Sequence, residues 1–357
     1  MSKPRLISFY LPQFYPTPEN DEWWQKGFTE WTNVGSAKPL FRGHEQPRVP
    51  ADLGYYDLRV PEVREEQAQL AKEAGIEGFC YWHYWFAGQR LLDRVFREVV
   101  ESGKPDFPFC LCWANHSWYS KTWDPKKPDK LLIEQTYPGV EDYKAHFYAM
   151  LPAFKDKRYM TVDGKPIFGV YSTMDFPDAP RFMEIWNQLA KENGLPGFYF
   201  CAFTFQASST DALLKQGYDC TVLDNLLWLL RHKQKSKIAL AIRHFTHRPF
   251  VFRYESYINC MMELYQAGER KHPCICPNFD HSPRSGWRGT VLVGHSPQKW
   301  EELCQKTFEV CREREHESNL VFIKAWNEWG EGNYLEPDTK FGKGFIEATA
   351  KAYKEAK

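Results

Sequence analysis

The sequence predicts an α/β protein built as one (β/α)8 barrel, and three observations carry that expectation. Eight short apolar runs of strand type each precede at least one amphipathic stretch of helical period, an alternation that implies a parallel sheet. Connections from helix back to strand are short, whereas the three long irregular segments, 12–60, 114–140 and 224–271, all follow strands. In a barrel such loops share the C-terminal face, where active sites sit. The length, 357 residues, suits one barrel with insertions, so a single catalytic domain over 1–357 is expected. No G-x-G-x-x-G follows the first strand and no Walker-type loop is present, which argues against a doubly wound nucleotide-binding sheet.

Taken in order, residues 6–11 read as the first strand, stopped by Pro12. Residues 61–75 follow the long first loop as a helix, with Val63, Leu70, Ala71 and Ala74 on one stripe, Pro61 at its start and Gly75 at its end. The predicted alternation then runs strand 79–85, helix 91–101, strand 107–113, helix 141–154, strand 166–171, helix 181–192, strand 198–203, helix 211–216 and strand 218–223. Segment 224–271 is read as two helices with the basic stretch 231–237 between or within them. Strand 275–279, helix 297–314, strand 320–326 and helix 345–356 complete the barrel.

Composition narrows the function. Lys plus Arg and Asp plus Glu both number 46, so the overall charge gives no sign of steering toward nucleic acid or an anionic membrane surface. Aromatic residues make up 17% of the chain. Aromatic faces beside polar groups suit a sugar, whose C–H face stacks while its hydroxyls hydrogen-bond. Ten Cys without a regular framework read as reduced, buried thiols. No H-E-x-x-H or paired CxxC appears, so neither a metal nor another cofactor is expected. The first apolar run is too short for a signal peptide or membrane span, which leads to the expectation of a cytoplasmic chain without membrane insertion.

Chemistry concentrates where the eighth strand ends, in Asn327-Glu328-Trp329-Gly330-Glu331-Gly332 and the following Glu336. On a continuous strand Glu328 and Glu331 would face opposite ways. Strand geometry must therefore end near Asn327 if both serve one site, and glycine permits the bend. Residues three apart in a turn lie roughly 5–6 Å apart, close to the roughly 5–5.5 Å carboxyl separation of retaining glycosidases. On the eighth strand Lys324, Trp326 and Glu328 share one parity, so Lys324 is expected inside the barrel below Glu328, where its ammonium would favour the ionised carboxylate. Other strand exits add candidate sugar contacts: Tyr10, Gln13, Glu30, Trp31 and Asn33 from the first; Trp82, His83 and Tyr84 from the second; Trp113 and Asn115 from the third; Asp280 from the seventh; and Asn327 and Glu336 from the eighth. Gln13, Glu30 and Asn33 fit fastening of the first loop equally well, His83 fits a hydrogen-bonded structural role, and Glu336 fits a brace for its turn.

Three stretches carry a resemblance: Phe9-Tyr10-Leu11-Pro12-Gln13-Phe14, the run Asn20-Asp21-Glu22-Trp23-Trp24 through Gly27-Phe28-Thr29-Glu30-Trp31-Thr32-Asn33, and Trp326-Asn327-Glu328-Trp329-Gly330-Glu331-Gly332. Together they resemble the WbsX-like proteins of bacterial surface-polysaccharide loci over nearly the whole chain. Those proteins are often labelled glycosyltransferases, yet they are similar to glycoside hydrolase family 99, the endo-α-mannosidases. The narrower likeness to that family rests on the barrel and the Asn-Glu-Trp-x-Glu-Gly element. It implies a retaining α-glycoside hydrolase, acting without a cofactor on an oligosaccharide or polysaccharide, mannose-containing or related. Glu328 would take the proton of the sugar 2-hydroxyl and Glu331 would protonate the leaving oxygen. The alternatives are a glycosyltransferase of surface-polysaccharide biosynthesis, disfavoured by the lack of a D-x-D motif, and a carbohydrate-binding barrel without turnover.

Overall fold

A computed structural model describes residues 3–120, 129–224, 243–265, 268, 270–315 and 317–356. Eight parallel strands close on themselves: β1 Arg5–Tyr10, β2 Gly78–Phe86, β3 Phe109–Trp113, β4 Lys165–Val170, β5 Tyr199–Thr204, β6 Cys220–Leu223, β7 Lys271–Ile275 and β8 Leu320–Ile323. Each pairs with its sequence neighbours, and β8 returns to β1 with Ile7 opposite Phe322. Eight helices alternate with them: α1 Pro61–Glu73, α2 Arg94–Ser102, α3 Val140–Phe154, α4 Ala179–Glu192, α5 Thr210–Lys215, α6 Tyr254–Leu264, α7 Pro297–Cys311 and α8 Gly344–Glu355. The predicted (β/α)8 barrel is the fold.

Local chemistry explains several of these elements. Pro61 opens α1 at a position where its missing N–H costs no helical bond. Ser296 caps α7 by accepting from the Lys299 amide. In α4 the residues Phe182, Trp186, Leu189 and Ala190 form a buried stripe, and the Trp186 indole donates to the Tyr143 carbonyl of α3 at 3.0 Å. That bond satisfies the polar edge of a side chain otherwise packed among phenylalanines.

The interior of the barrel follows the two-residue period of the strands. Phe9 stacks on Trp82 at 4.4 Å between ring centres and meets Phe203 edge-on at 5.3 Å, while Phe203 meets Phe322 at 5.4 Å. The alternate residues face the helices: the Tyr10 hydroxyl donates to Gln67 of α1, and His83 reaches His146 of α3. All ten cysteines are free and buried. Among the described residues no helix is long and apolar enough to cross a membrane.

The seventh strand is the main correction to the predicted elements. It spans Lys271–Ile275, not 275–279, with Val222 opposite His272 and Cys274 opposite Phe322. Lys271-His272-Pro273 reads as polar in sequence, but His272 is fully buried, 3.1 Å from the Arg314 guanidinium and 3.4 Å from the Tyr199 hydroxyl. The expected strand 275–279 is instead largely the loop that carries Asn278 and Asp280. The first long loop contains two short helices, Pro18–Trp23 and Glu30–Ser36, capped by Thr17 and Thr29. Loop 114–140 folds partly as a hairpin pairing Trp118–Ser120 with Lys130–Ile133. The basic stretch 231–237 lies outside the described residues, and α6 accounts for one of the two helices predicted in 224–271.

Gly169 on β4 faces this interior. An added Cβ would lie 2.8 Å from Cys112 Sγ and 3.0 Å from Phe203 Cε2. Gly169→Ala is therefore expected to cost about 1–3 kcal/mol through overpacking, read as a lower urea midpoint at unchanged m-value.

Candidate active site

A cavity of about 660 Å³ opens at the C-terminal ends of the strands. Its floor includes Trp82, Tyr171 and Lys324, one wall carries Glu30, Arg284, Glu328 and Glu331, and the facing rim includes Trp23, Trp24, Phe28, Trp118 and Tyr119.

The carboxylate wall is built by a tight turn. After β8, Asn327–Glu328 pairs antiparallel with Asn333–Tyr334, and a 3-10 turn at Trp329–Glu331 joins them. In such a turn residues three apart eclipse, which places Glu331 over Glu328. Gly332 closes the turn at φ +53°. Arg284 Nη1 donates to Glu328 Oε1 at 3.2 Å and to Glu331 Oε1 at 2.8 Å. One nitrogen at those distances cannot leave the two oxygens more than about 6 Å apart, near the spacing of retaining glycosidases. Arg284 Nε also donates to Glu30 Oε2 at 3.1 Å. Glu328 Oε2 is buried and has no hydrogen-bond partner among the described residues. A carboxylate oxygen in that state calls for a donor from outside the protein.

The two acids sit in unlike environments. Burial, then the Glu331 charge, pushes Glu328 up to about 7, against the opposing pull of Arg284 and Lys324. Glu331 is also penalised by burial, but Arg284, His281 and Lys324 together hold it below the ordinary carboxylate range. The Arg284 guanidinium keeps its charge because the three carboxylates more than offset its burial. Lys324 is inside the barrel, as its parity predicts. Its ammonium, however, donates to Asp224 Oδ2 at 2.6 Å and Tyr171 Oη at 3.4 Å, so its pull on Glu328 is outweighed. Lys324 draws Glu328 toward its ionised form, as expected, but burial and the Glu331 charge outweigh that pull.

Of the residues proposed from sequence, Gln13, Glu30, Asn33, Trp82, Tyr84, Glu328 and Glu331 line the cavity. The others are placed elsewhere by definite partners. Tyr10, His83 and Trp113 have the outward parity of their strands, and Trp113 packs on Phe182 of α4. Trp31 donates its indole N–H to the Tyr56 carbonyl and packs against Trp329. Asn115 ties Tyr137 to the Ser172 backbone. Asn327 bonds both backbone groups of Leu11. Asp280 is held low by His44, Arg48 and the Ser282 amide despite its burial. Glu336 accepts from Tyr56, Gln67 and Trp329 at 2.6–2.9 Å, which makes it a brace for the turn, and burial raises it to about 7. Sequence reasoning missed Arg284, Asp224 and Tyr171. The signal for Arg284 was a lone cation behind Pro283, just past the seventh strand exit.

With this geometry in place, known proteins can be compared. The family model described as Glycosyltransferase WbsX matches residues 6–349. The chain belongs to the WbsX family. Two curated relatives, both called uncharacterized protein WxcX, come from Xanthomonas campestris pv. campestris strains B100 and ATCC 33913. Each is 34% identical over 98% of this chain. The chain spans about half the length of those relatives, 50% in each case. Among solved structures, the GH99 endo-α-mannosidase from Bacteroides thetaiotaomicron superposes with a TM-score of 0.62 at 12% identity, covering 100% of this chain and 99% of that one. A protein described as glycoside hydrolase-like gives 0.62 at 12% identity over 99% and 94%. These likenesses place the WbsX chain on a barrel shared with glycoside hydrolases.

The raised Glu328 makes a signed prediction. A carboxyl whose folded value lies above its unfolded value of 4.5 favours folding below that value, and the advantage is lost as pH rises through about 7. Glu328→Gln removes that ionisation. The variant is expected to be more stable than the parent by about 1–3 kcal/mol at pH 8, with the difference closing toward pH 5, measured by urea unfolding at both pH values.

Proposed function

We propose that this WbsX chain is a retaining α-glycoside hydrolase whose proton-transfer pair is Glu328 and Glu331. The observation that carries the reading is the convergence of these two acids on one cavity, with Glu328 Oε2 unpartnered. The aromatic floor and rim suit a saccharide. A mannose-containing or related bacterial oligosaccharide or polysaccharide is the substrate class suggested by the structural likeness to an endo-α-mannosidase.

The two acids share one proton near neutrality, which suits a single acid and a single base. Burial and the Glu331 charge place that proton on Glu328. A sugar 2-hydroxyl donating to Glu328 Oε2 favours its ionised form, and the resulting negative charge raises Glu331. Binding thereby moves the proton to Glu331. Glu328 then removes the 2-hydroxyl proton while O2 attacks the anomeric carbon, and Glu331 gives its proton to the departing glycosidic oxygen. The product of this step is a 1,2-anhydro sugar. In the second step Glu331 takes a proton from water, the water oxygen opens the epoxide at the anomeric carbon, and Glu328 returns the proton to O2. Two inversions give net retention.

The second reading, glycosyl transfer, is favoured by the description of the family. The same pair would serve if a sugar hydroxyl replaced water in the second step. A panel of oligosaccharides, incubated with and without nucleotide sugars, separates the readings. Hydrolysis predicts new reducing ends without a donor, abolished at least about 100-fold in Glu328→Gln. Glu331→Gln should lose natural substrates to a similar extent yet retain aryl glycosides with good leaving groups, which need no acid. The reverse pattern would exchange the two roles. Products that require a nucleotide sugar would replace hydrolysis with transfer, and binding without turnover in all proteins would leave a carbohydrate-binding barrel.

A further inference from the structure

The balanced net charge of the chain hides a strong local bias. From residue 243 to 253 the sequence carries three Arg and no Asp or Glu. This stretch stands on the same face as the cavity mouth, because it belongs to the loop after β6. Arg243 lies 3.7 Å over the Phe250 ring and donates to the carbonyls of Trp287 and Arg288. Those two residues follow closely on Arg284, which lines the cavity. His244 meets Trp287 edge-on at 5.8 Å, His247 lies tilted against it at 4.9 Å, and Arg288 lies 4.6 Å over it. His244, His247 and Arg248 are exposed, and Arg248 has no carboxylate partner among the described residues.

Apolar side chains stand out of the same rim. Phe245 is 84% exposed at the tip of this segment, Met174 is 75% exposed after β4, and Phe205 is 37% exposed after β5. Phe205 packs edge-on against Tyr171 of the cavity floor. Exposed Asp175 and half-buried Asp178 follow β4 and exposed Asp211 follows β5, so the positive charge of this rim is concentrated after β6, between Arg243 and Arg253. Exposed apolar residues are ordinary when scattered singly, but these three stand at successive strand exits of one rim. Cations behind protruding apolar side chains match the layered chemistry of an anionic bilayer surface, phosphate outside and acyl chain beneath.

We propose that the rim formed by the exits of β4 to β7 docks on an anionic phospholipid membrane. Phe245, Met174 and Phe205 enter the interface, and Arg248 with its basic neighbours meets the lipid phosphates. Docked this way, the cavity mouth faces saccharides carried at the membrane surface. The inference is independent of whether the site hydrolyses or transfers.

Vesicle flotation tests it with the 357-residue chain, using vesicles of phosphatidylcholine alone and vesicles with about 30% phosphatidylglycerol. Binding to the anionic vesicles alone, weakening as salt rises, is expected. Phe245→Asp and Arg248→Glu should each lower the bound-to-free ratio about fivefold or more with unchanged thermal midpoints, since both positions are exposed. Absence of binding, equal binding to neutral vesicles, or binding that neither variant weakens overturns the proposal. Retention of a single-stranded oligonucleotide at the same salt without vesicle binding overturns it in favour of a polyanion site.

Discussion

The site depends on one guanidinium that answers three carboxylates. Glu30, Glu328 and Glu331 all converge on Arg284, and the second nearby cation, Lys324, is committed to Asp224. Two buried acids and one half-buried acid around one cation leave more negative charge than the surroundings can neutralise. Taking a charge out of water is expensive unless it is paired, so one acid keeps its proton into the neutral range. Glu328 is that acid because it holds the longer of the two contacts to Arg284 Nη1 and because Glu331 has His281 at 3.7 Å as well. Burial raises both carboxyls, and unequal sharing of one cation then separates their proton affinities.

The fold must therefore fix Arg284 and the turn bearing the two glutamates relative to each other. A buried network from the first long loop does this. Asp280 accepts from His44 at 2.8 Å and Gln46 at 2.7 Å, and its amide donates to the Glu331 carbonyl at 2.6 Å. Arg48 donates to the Gly332 carbonyl at 2.9 Å. Gly332 admits this approach only because it lacks a side chain: a Cβ there would lie 3.0 Å from both Arg48 Nη1 and the Asp280 amide nitrogen. Below the turn, Glu336 gathers Tyr56, Gln67 and Trp329, and Tyr10 reaches the same Gln67. Many of the polar residues that looked like sugar contacts hold the acid-bearing turn in place instead.

What was legible in the sequence follows from which information is local. Strand and helix periods reveal the barrel, because burial on one face leaves a mark every two or 3.6 residues. The acid pair was visible because its spacing and its glycines lie in one stretch. Which of two adjacent aromatics at a strand exit faces the cavity is also a local question, and the period of two answers it. Naming Trp82, His83 and Tyr84 together ignored that period: Trp82 and Tyr84 line the cavity and His83 meets α3. Tyr10 against Phe9 and Trp113 against Cys112 repeat the pattern. The roles of Arg284 and Asp224 depend on partners 44 and 100 residues away in sequence, and no local pattern encodes those meetings.

Lys324 shows how the packed barrel becomes a reactive cavity. On β8, Phe322 closes the aromatic interior with Phe9 and Phe203, and two residues later the same face presents an ammonium. A lysine at that depth is tolerated because Asp224 at the end of β6 lies 2.6 Å away and the Tyr171 ring lies 5.3 Å from it. Both partners stand at the ends of other strands, so the pair forms only when the barrel closes. The floor is then nearly neutral: indole and phenol faces around a compensated ion pair. Uncompensated charge is confined to the wall holding Glu328 and Glu331. In the proposed function, a sugar lying on this floor would meet apolar faces beneath it and charge at one edge. Removing the Lys324–Asp224 pair would have left the lower end of the cavity either charged or open to water. The separation between a stacking floor and a proton-handling wall rests on that closure.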